Sequence, residues 1–559
     1  MSQAGTYAVL VRHFFGRFFD KESLSPQGEP EANLAQILGL VAVPGAFFVL
    51  LFRPFGMTGW DLVMLRYCFV SLSMVVMSPL ARGMSWLLVV MGLVMVFEWD
   101  ALLLDRRDYL ILTPLPIRLT SLFFAKAQAL AMLAGVFLAD VNFFGTLFWP
   151  GIDGKRDTLA IMGVHALAVC AAGLFTALAI AAIQGVLATL LSGKTYRRVS
   201  VTAQTLLMAL LVMLLFLTPV LGAGARMVLR SHHWIATVLP TYWFTGFYEQ
   251  LRPATRNATL AGLGDTAVRG LAAAAALFVL AYLPGYRRHA RKILDAPAPS
   301  PAGPGPLRAA FERAANRWLL GSNLERAVFH FIGESITRSP QHRLFLATYG
   351  GFGAALAVMH MGADPRTGLA PLSLTLSFIL VSGLRAAFNF PSEPSGNWIF
   401  QISETESAAG YFDATRKWIA VCAIIPLHLA LAPAEFQLFT PGKALFHTAY
   451  GLTLSMLLVE LMFFDFRKAP FTCAYFTGKM NLVGLGALYV LGFTTYSNTM
   501  AEVEGWLLGW PAAAVAFFAA AWAAWAALVW WRRRRLGDEA TLEYDDGEPM
   551  VRTLGLEAH

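Results

Sequence analysis

Runs of about twenty apolar residues, separated by short breaks rich in arginine, glycine and proline, recur along the chain from residue 34 to residue 531. A stretch of that length crosses the hydrocarbon of a bilayer as a helix, and the runs are continuous rather than alternating, which excludes a membrane β-barrel. The first is Leu34–Phe52. The next, Leu62–Phe97, is interrupted by Ser78-Pro79-Leu80-Ala81-Arg82-Gly83; its length fits one crossing or two, and a single crossing, following the first span, puts the basic amino-terminal segment and the Asp105–Arg118 stretch in one compartment. Ser121–Phe148, Leu159–Leu191, Val201–Leu221 and Thr266–Leu283 complete a first set. A second set reads Leu344–Met361, Leu372–Phe388, Trp418–Phe436, Ala444–Phe464, Asn481–Tyr496 and Trp506–Trp531. The pattern predicts an all-α polytopic membrane protein of about 12 transmembrane helices, arranged as two parallel six-helix pseudo-repeats.

The breaks define the domains. Residues 1–33 hold Arg12, Arg17 and Lys21 among phenylalanines, lack the short apolar core and cleavage site of a secretory leader, and read as a cytoplasmic amphipathic segment on the membrane. Residues 34–284 form the first transmembrane half. Residues 285–343 form a basic cytoplasmic linker with the Pro-rich run Pro297–Pro306 and an amphipathic helix expected at Asn323–Thr337. Residues 344–531 form the second half, and residues 532–559 a cytoplasmic tail opening on Arg532-Arg533-Arg534-Arg535. Both termini are thereby expected inside, in a bacterial-type cytoplasmic membrane. One long loop, Gly222–Asp265, is expected outside, its Trp234, Tyr242, Trp243, Phe244 and Tyr248 suited to the headgroup level.

Composition agrees: 57% of residues are hydrophobic and 14% charged, outside the soluble globular range. The net charge of +8 sits largely at span ends, as membrane topology requires, so nucleic acid is not an expected partner and the lipid bilayer is. Cys68, Cys170, Cys422 and Cys473 are scattered singly and make no metal or disulfide pattern.

Candidate chemistry is sparse. Ser192-Gly193-Lys194-Thr195 resembles the end of a phosphate-binding loop, but Ala188 stands where the leading glycine belongs, so the chain carries no ATPase site of its own. Asp105-Arg106-Arg107 lies where major facilitators carry an Asp-Arg signature, without the glycines of that signature. His232-His233 are adjacent and lack the spacing of helical zinc ligands, and no nucleophile, base and orienter group stands out; no metal, cofactor or catalytic residue is predicted. Charges inside apolar runs are costly and are functional candidates for that reason: Arg66, Asp140, Arg385 and Glu460.

The most informative stretch is Phe97–Leu130. It leaves one apolar run, presents Asp105, Arg106, Arg107 and Asp108, crosses Tyr109 and Pro114-Leu115-Pro116, and enters the next run through Arg118 and Lys126. This interfacial elbow resembles the corresponding stretch of the permease subunits of type-2 ABC exporters, which reads roughly Arg-Asp, Leu, Leu-Pro and Lys between the second and third spans. The resemblance implies that Asp105, Arg107, Asp108, Tyr109, Pro114, Pro116 and Lys126 form or brace a cytoplasmic coupling helix. It implies partnership with a separate ABC ATPase subunit in two copies, which would bind the ATP and magnesium, and no cofactor on this chain. The second-half counterpart is Glu393–Lys417, where Ser403-Glu404-Thr405-Glu406 replaces the Leu-Pro pair. Two other classes remain open: an ion-coupled secondary transporter of six plus six spans, dependent on an acid such as Asp140 or Glu460, and a membrane scaffold or lipid-modifying enzyme.

Overall fold

In the computed structural model, which describes residues 3–18, 79–103, 106–112, 114–153, 158–191, 193–230, 234–251, 258–295, 305–363, 365–390, 409–464, 466, 468–472 and 489–537, the regular elements among the described residues are all helices. The expected span Leu34–Phe52, Arg66, Asp105, His232-His233 and the acidic tail lie outside the described residues. Nine of the described helices are long and apolar enough to cross a membrane. The chain is therefore an all-α, multi-pass membrane protein. It divides into two compact units, Met1–Ser300 and Pro301–His559, at the Pro-rich run.

Unit 1 contains α1 (Gln3–Gly16), α2 (Pro79–Phe97), α3 (Arg106–Leu112), α4 (Leu119–Asp153), α5 (Thr158–Leu190), α6 (Gly193–Arg230), α7 (Trp234–Val238), α8 (Pro240–Leu251) and α9 (Ala258–Asp295). Its centre is α5, which packs against α2, α4, α8 and α9. Small residues permit this, because lipid supplies no hydrophobic drive between helices and close van der Waals approach must do the work. At Gly185 a methyl group would lie 2.7 Å from the ring of Tyr282 on α9, and at Gly173 it would lie 2.4 Å from Leu138 on α4. Across the same seam Thr189 donates to the Ala281 carbonyl at 2.9 Å, and Tyr282 donates to Gln184 at 2.5 Å.

The loop expected at Gly222–Asp265 is corrected by the structure. Helix α6 runs on to Arg230, α9 starts at Ala258, and between them α8 packs against α2, α5 and α9. Tyr242, Phe244 and Tyr248 are buried, whereas Trp234 is exposed. An aromatic-rich amphipathic stretch suits a headgroup layer and a helix-packing groove equally, and here the groove takes three of the rings.

Unit 2 contains α10 (Pro306–Trp318), α11 (Asn323–Arg338), α12 (Pro340–Ala363), α13 (Pro365–Ala387), α14 (Ala409–Leu438), α15 (Pro441–Met462), α16 (Met500–Leu508) and α17 (Pro511–Gly537). One π-helical turn, Ala420–Ile424, lies within α14, and another, Thr495–Thr499, leads into α16. The final span begins at Pro511 rather than at Trp506, since Trp506 belongs to α16 and proline at the first turn starts a new helix. Helix α13 is the most enclosed of the spans, with 72% of its apolar window buried. It packs against α12, α14 and α15. The amphipathic α11, capped by the Ser322 hydroxyl accepting from the Glu325 amide at 3.1 Å, buries Val328, Phe329 and Ile332 and packs on α12 and the start of α14.

Candidate functional site: the braced elbow

The elbow turns on Asp108 and Lys126. Helix α2 ends at Phe97, a turned segment follows to Leu103, α3 crosses, and Pro114-Leu115-Pro116 leads into α4. Prolines cannot continue α3 and so set its end; Lys126 sits two turns into α4, facing back. Its ammonium lies 2.7 Å from Asp108 Oδ2, donates to the Leu103 carbonyl at 2.8 Å, and stands 5.0 Å from the centre of the Phe14 ring. Arg17, just past α1, pairs with the other oxygen of Asp108. One buried carboxylate thus joins three separate pieces of chain.

The electrostatics follow from this arrangement. Burial pushes the Asp108 carboxyl up, and the Lys126 ammonium and Arg17 guanidinium more than reverse it, holding the group below the usual carboxylate range. A second fastening lies above: Trp99 donates to the Ser200 hydroxyl at 2.8 Å, and Gln204 to the Val96 carbonyl at 2.9 Å, tying the end of α2 to α6. The amino-terminal α1 closes the elbow from the side, burying Leu10, Val11 and Phe14 against Leu122, Ala125 and Ala129 of α4. Its apolar face therefore meets protein.

Asp108 of α3 is turned inward, and apolar residues beside it are left uncovered. Leu110 is 58% exposed, Ile111 67% and Leu115 47%, beside exposed Pro114 and Pro116. Of the elbow residues predicted from sequence, the structure brings Asp108 and Lys126 into contact, places Pro114 and Pro116 on the outer edge, and puts Arg107 and Tyr109 in α3. Arg17 was missed. Its signal was a basic residue just after an amphipathic helix, which sequence alone assigns to lipid as readily as to a carboxylate.

No family model, curated protein or solved structure matches the chain. The site therefore stands on its own geometry.

Unit 2 contains a related junction. Lys417, the expected counterpart of Lys126, lies near the start of α14 and pairs at 2.7 Å with Glu325 of the amphipathic α11. Burial pushes the Glu325 carboxyl up, and the bonds from Lys417 and the Gly321 amide bring it below its ordinary value. The two amphipathic helices also carry similar tetrapeptides, His13-Phe14-Phe15-Gly16 and His330-Phe331-Ile332-Gly333, identical at three of four positions, and each helix packs on the span that carries the lysine. Asn397 and Trp398, the proposed counterparts of Asp108 and Tyr109, lie outside the described residues.

The remaining charged candidates do not converge. Asp140, partly buried on α4, has one oxygen without a hydrogen-bond partner among the described residues. Arg385, in the last turn of α13, lies 5.5 Å from the Phe463 ring centre and 4.8 Å from that of Phe466. Glu460, fully buried at the end of α15, pairs with Arg532 at 2.8 Å and Arg416 at 3.4 Å. Arg416 also pairs with Asp413 at 3.1 Å, and Asp413 with Arg533 at 2.7 Å. This network ties α14, α15 and α17 together at one end, and its two guanidinium groups neutralise Glu460.

Proposed function

We propose that this chain is the membrane-spanning permease of an ATP-driven exporter, and that α3 and the Pro114–Pro116 turn form the surface on which a separate ABC ATPase subunit docks. The observation that carries the reading is the polarity of the elbow, inverted for a turn at a membrane surface. Its buried carboxylate, Asp108, is spent inward on Lys126 and Arg17, while Leu110, Ile111 and Leu115 are exposed. That arrangement is rigid at its base and apolar at its tip, as a lever gripped by another protein requires.

Force applied at the tip reaches α4 through Lys126, α1 through Arg17 and α6 through the Trp99 and Gln204 bonds. Closure of two ATPase copies on bound ATP and magnesium would then bias the helices between inward-open and outward-open arrangements. A lysine–carboxylate pair near the start of a span in each unit and the similar tetrapeptides support two pseudo-repeated halves, with Glu325–Lys417 bracing the second contact, although the carboxylate comes from the elbow helix in one unit and from the amphipathic helix in the other. The Arg532–Arg535 run supports a cytoplasmic carboxyl terminus in a bacterial-type inner membrane.

The test is co-purification in gentle detergent of the tagged chain and an Ile111→Glu/Leu115→Glu variant. Both substitutions lie on the exposed tip, so the variant should express and melt as the wild type does. Wild type should bring down an ATPase carrying a phosphate-binding loop, and the variant should lose it. If the well-expressed wild type recovers no ATPase, the reading is wrong.

A further inference from the structure

A second polar centre lies in unit 2, at the opposite end of α17 from Arg532–Arg535, and the exporter reading makes no use of it. Glu435 is in the last turn of α14, His447 is two turns into α15, and Glu504 is near the end of α16. Their relative exposures are 0%, 1% and 2%. His447 Nδ1 lies 2.7 Å from Glu504 Oε1, and His447 Nε2 lies 3.2 Å from the Ser373 hydroxyl of α13 and 3.7 Å from Glu435 Oε1. The second oxygen of Glu435 accepts from Thr448 at 2.6 Å. One imidazole therefore stands between two buried carboxylates.

The charges do not balance. Among the described residues, no lysine or arginine pairs with Glu435 or Glu504. Lys443, one turn before His447, turns to the Phe439 ring at 4.4 Å and stays exposed, and Glu502 on α16 is exposed as well. The other ionisable neighbours are His428 of α14, bonded to Ser455 at 3.1 Å, Tyr450 of α15, which donates to the Met500 carbonyl at 2.8 Å, and Tyr496, which meets the Ser377 hydroxyl at 3.1 Å. None of these supplies a permanent positive charge. With His447 charged and both glutamates ionised, the site retains one uncompensated negative charge in a low-dielectric interior. Glu435 Oε1 and Glu504 Oε2 are buried without a hydrogen-bond partner, as is His428 Nδ1. The contrast with Glu460 is one of charge: its Oε2 also lacks a hydrogen-bond partner, but Arg532 and Arg416 stand at 2.8 Å and 3.4 Å from its carboxylate.

We propose that Glu435, His447 and Glu504 form a proton-binding site in unit 2. A proton taken from water neutralises one carboxylate, and the resulting hydroxyl supplies the missing donor. The geometry also allows the proton to move. The transfer runs with His447 neutral and its proton on Nδ1: the Glu435 hydroxyl gives its proton to the bare Nε2 as the Nδ1 proton passes to Glu504 Oε1, which leaves Glu435 ionised, His447 neutral and Glu504 protonated, the charge of the site unchanged. The 3.7 Å gap requires only a small approach of Glu435. A π-helical turn, a device frequent at functional sites, spans Thr495–Thr499 and leads into the helix that carries Glu504.

The test uses the full chain in lipid nanodiscs, with melting temperature followed by tryptophan fluorescence from about pH 5 to about pH 9 at constant sodium. A carboxyl that stays protonated when folded and ionises when unfolded makes folding take up a proton, so stability falls as pH rises through the folded-state value. Wild type should melt lower at alkaline pH. Glu435→Gln and Glu504→Gln, which mimic the protonated shape, should each lose more than about half of that slope and melt above wild type at the alkaline end. Infrared difference spectra provide a second readout independent of the variants' folding: wild type at neutral pH should show a protonated-carboxyl band that bleaches on alkalinisation. Equal slopes in wild type and both variants would overturn the proposal, as would absence of that band. A melting temperature raised by sodium at fixed pH and lost in the variants would make a metal cation the occupant instead. Neither readout involves the elbow or an ATPase, so this site and the exporter reading fail separately.

Discussion

Asp108 illustrates how much one side chain can organise when it is buried between two cations. Replacing it with asparagine removes the carboxylate that the buried Lys126 ammonium faces, beside the Leu103 carbonyl and the Phe14 ring. Asp108→Asn should cost about 3 kcal/mol or more, read as a lower melting temperature in detergent, and pairing it with Lys126→Met should recover much of the loss because the orphaned charge is gone. The pH dependence has a definite sign. A carboxyl held below its ordinary value contributes stability above the unfolded value, and that contribution is lost as pH falls through the folded one, so this contact should be unaffected from neutrality down to about pH 4 and weaken only below. Sequence reading named Asp108 and Lys126 among seven elbow residues, by resemblance, and did not pair them; their ion pair emerges only when α3 folds back against α4. The same reading passed over His447, Glu435 and Glu504, which are 12 and 57 residues from one another across separate helix ends and converge only through packing.

At the scale of elements, the long apolar runs were legible because hydrocarbon thickness dictates their length, and the observed spans fall where the runs do, extended at both ends by polar turns. The fate of amphipathic stretches was not legible. Helices α1, α8 and α11 each have an apolar face, and nothing in that pattern distinguishes lipid from protein as its cover. For α1 the cover is α4, and Phe14→Ala should release it: hydrogen exchange should rise across α1 while α5 and α9 keep their protection. The α5–α9 seam should be less forgiving. Gly185→Leu drives a side chain into the Tyr282 ring and should cost about 1–3 kcal/mol, with the Tyr282–Gln184 bond lost as well.

At the scale of the molecule, the division at Ser300 and Pro301 gives each unit its own core, built around α5 in one and α13 in the other. A protease site inserted at the division should, after cleavage, leave both fragments with undiminished helical circular dichroism. The apolar tip of the elbow has one more consequence, for the life of the protein in the cell. Leu110, Ile111 and Leu115 present a small greasy surface that folding of this chain alone leaves bare. Surfaces of that kind are what membrane proteases and chaperones use to recognise orphaned subunits. On the proposed function, the steady-state amount of this protein should therefore follow the synthesis of the ATPase that covers the tip, the excess being degraded.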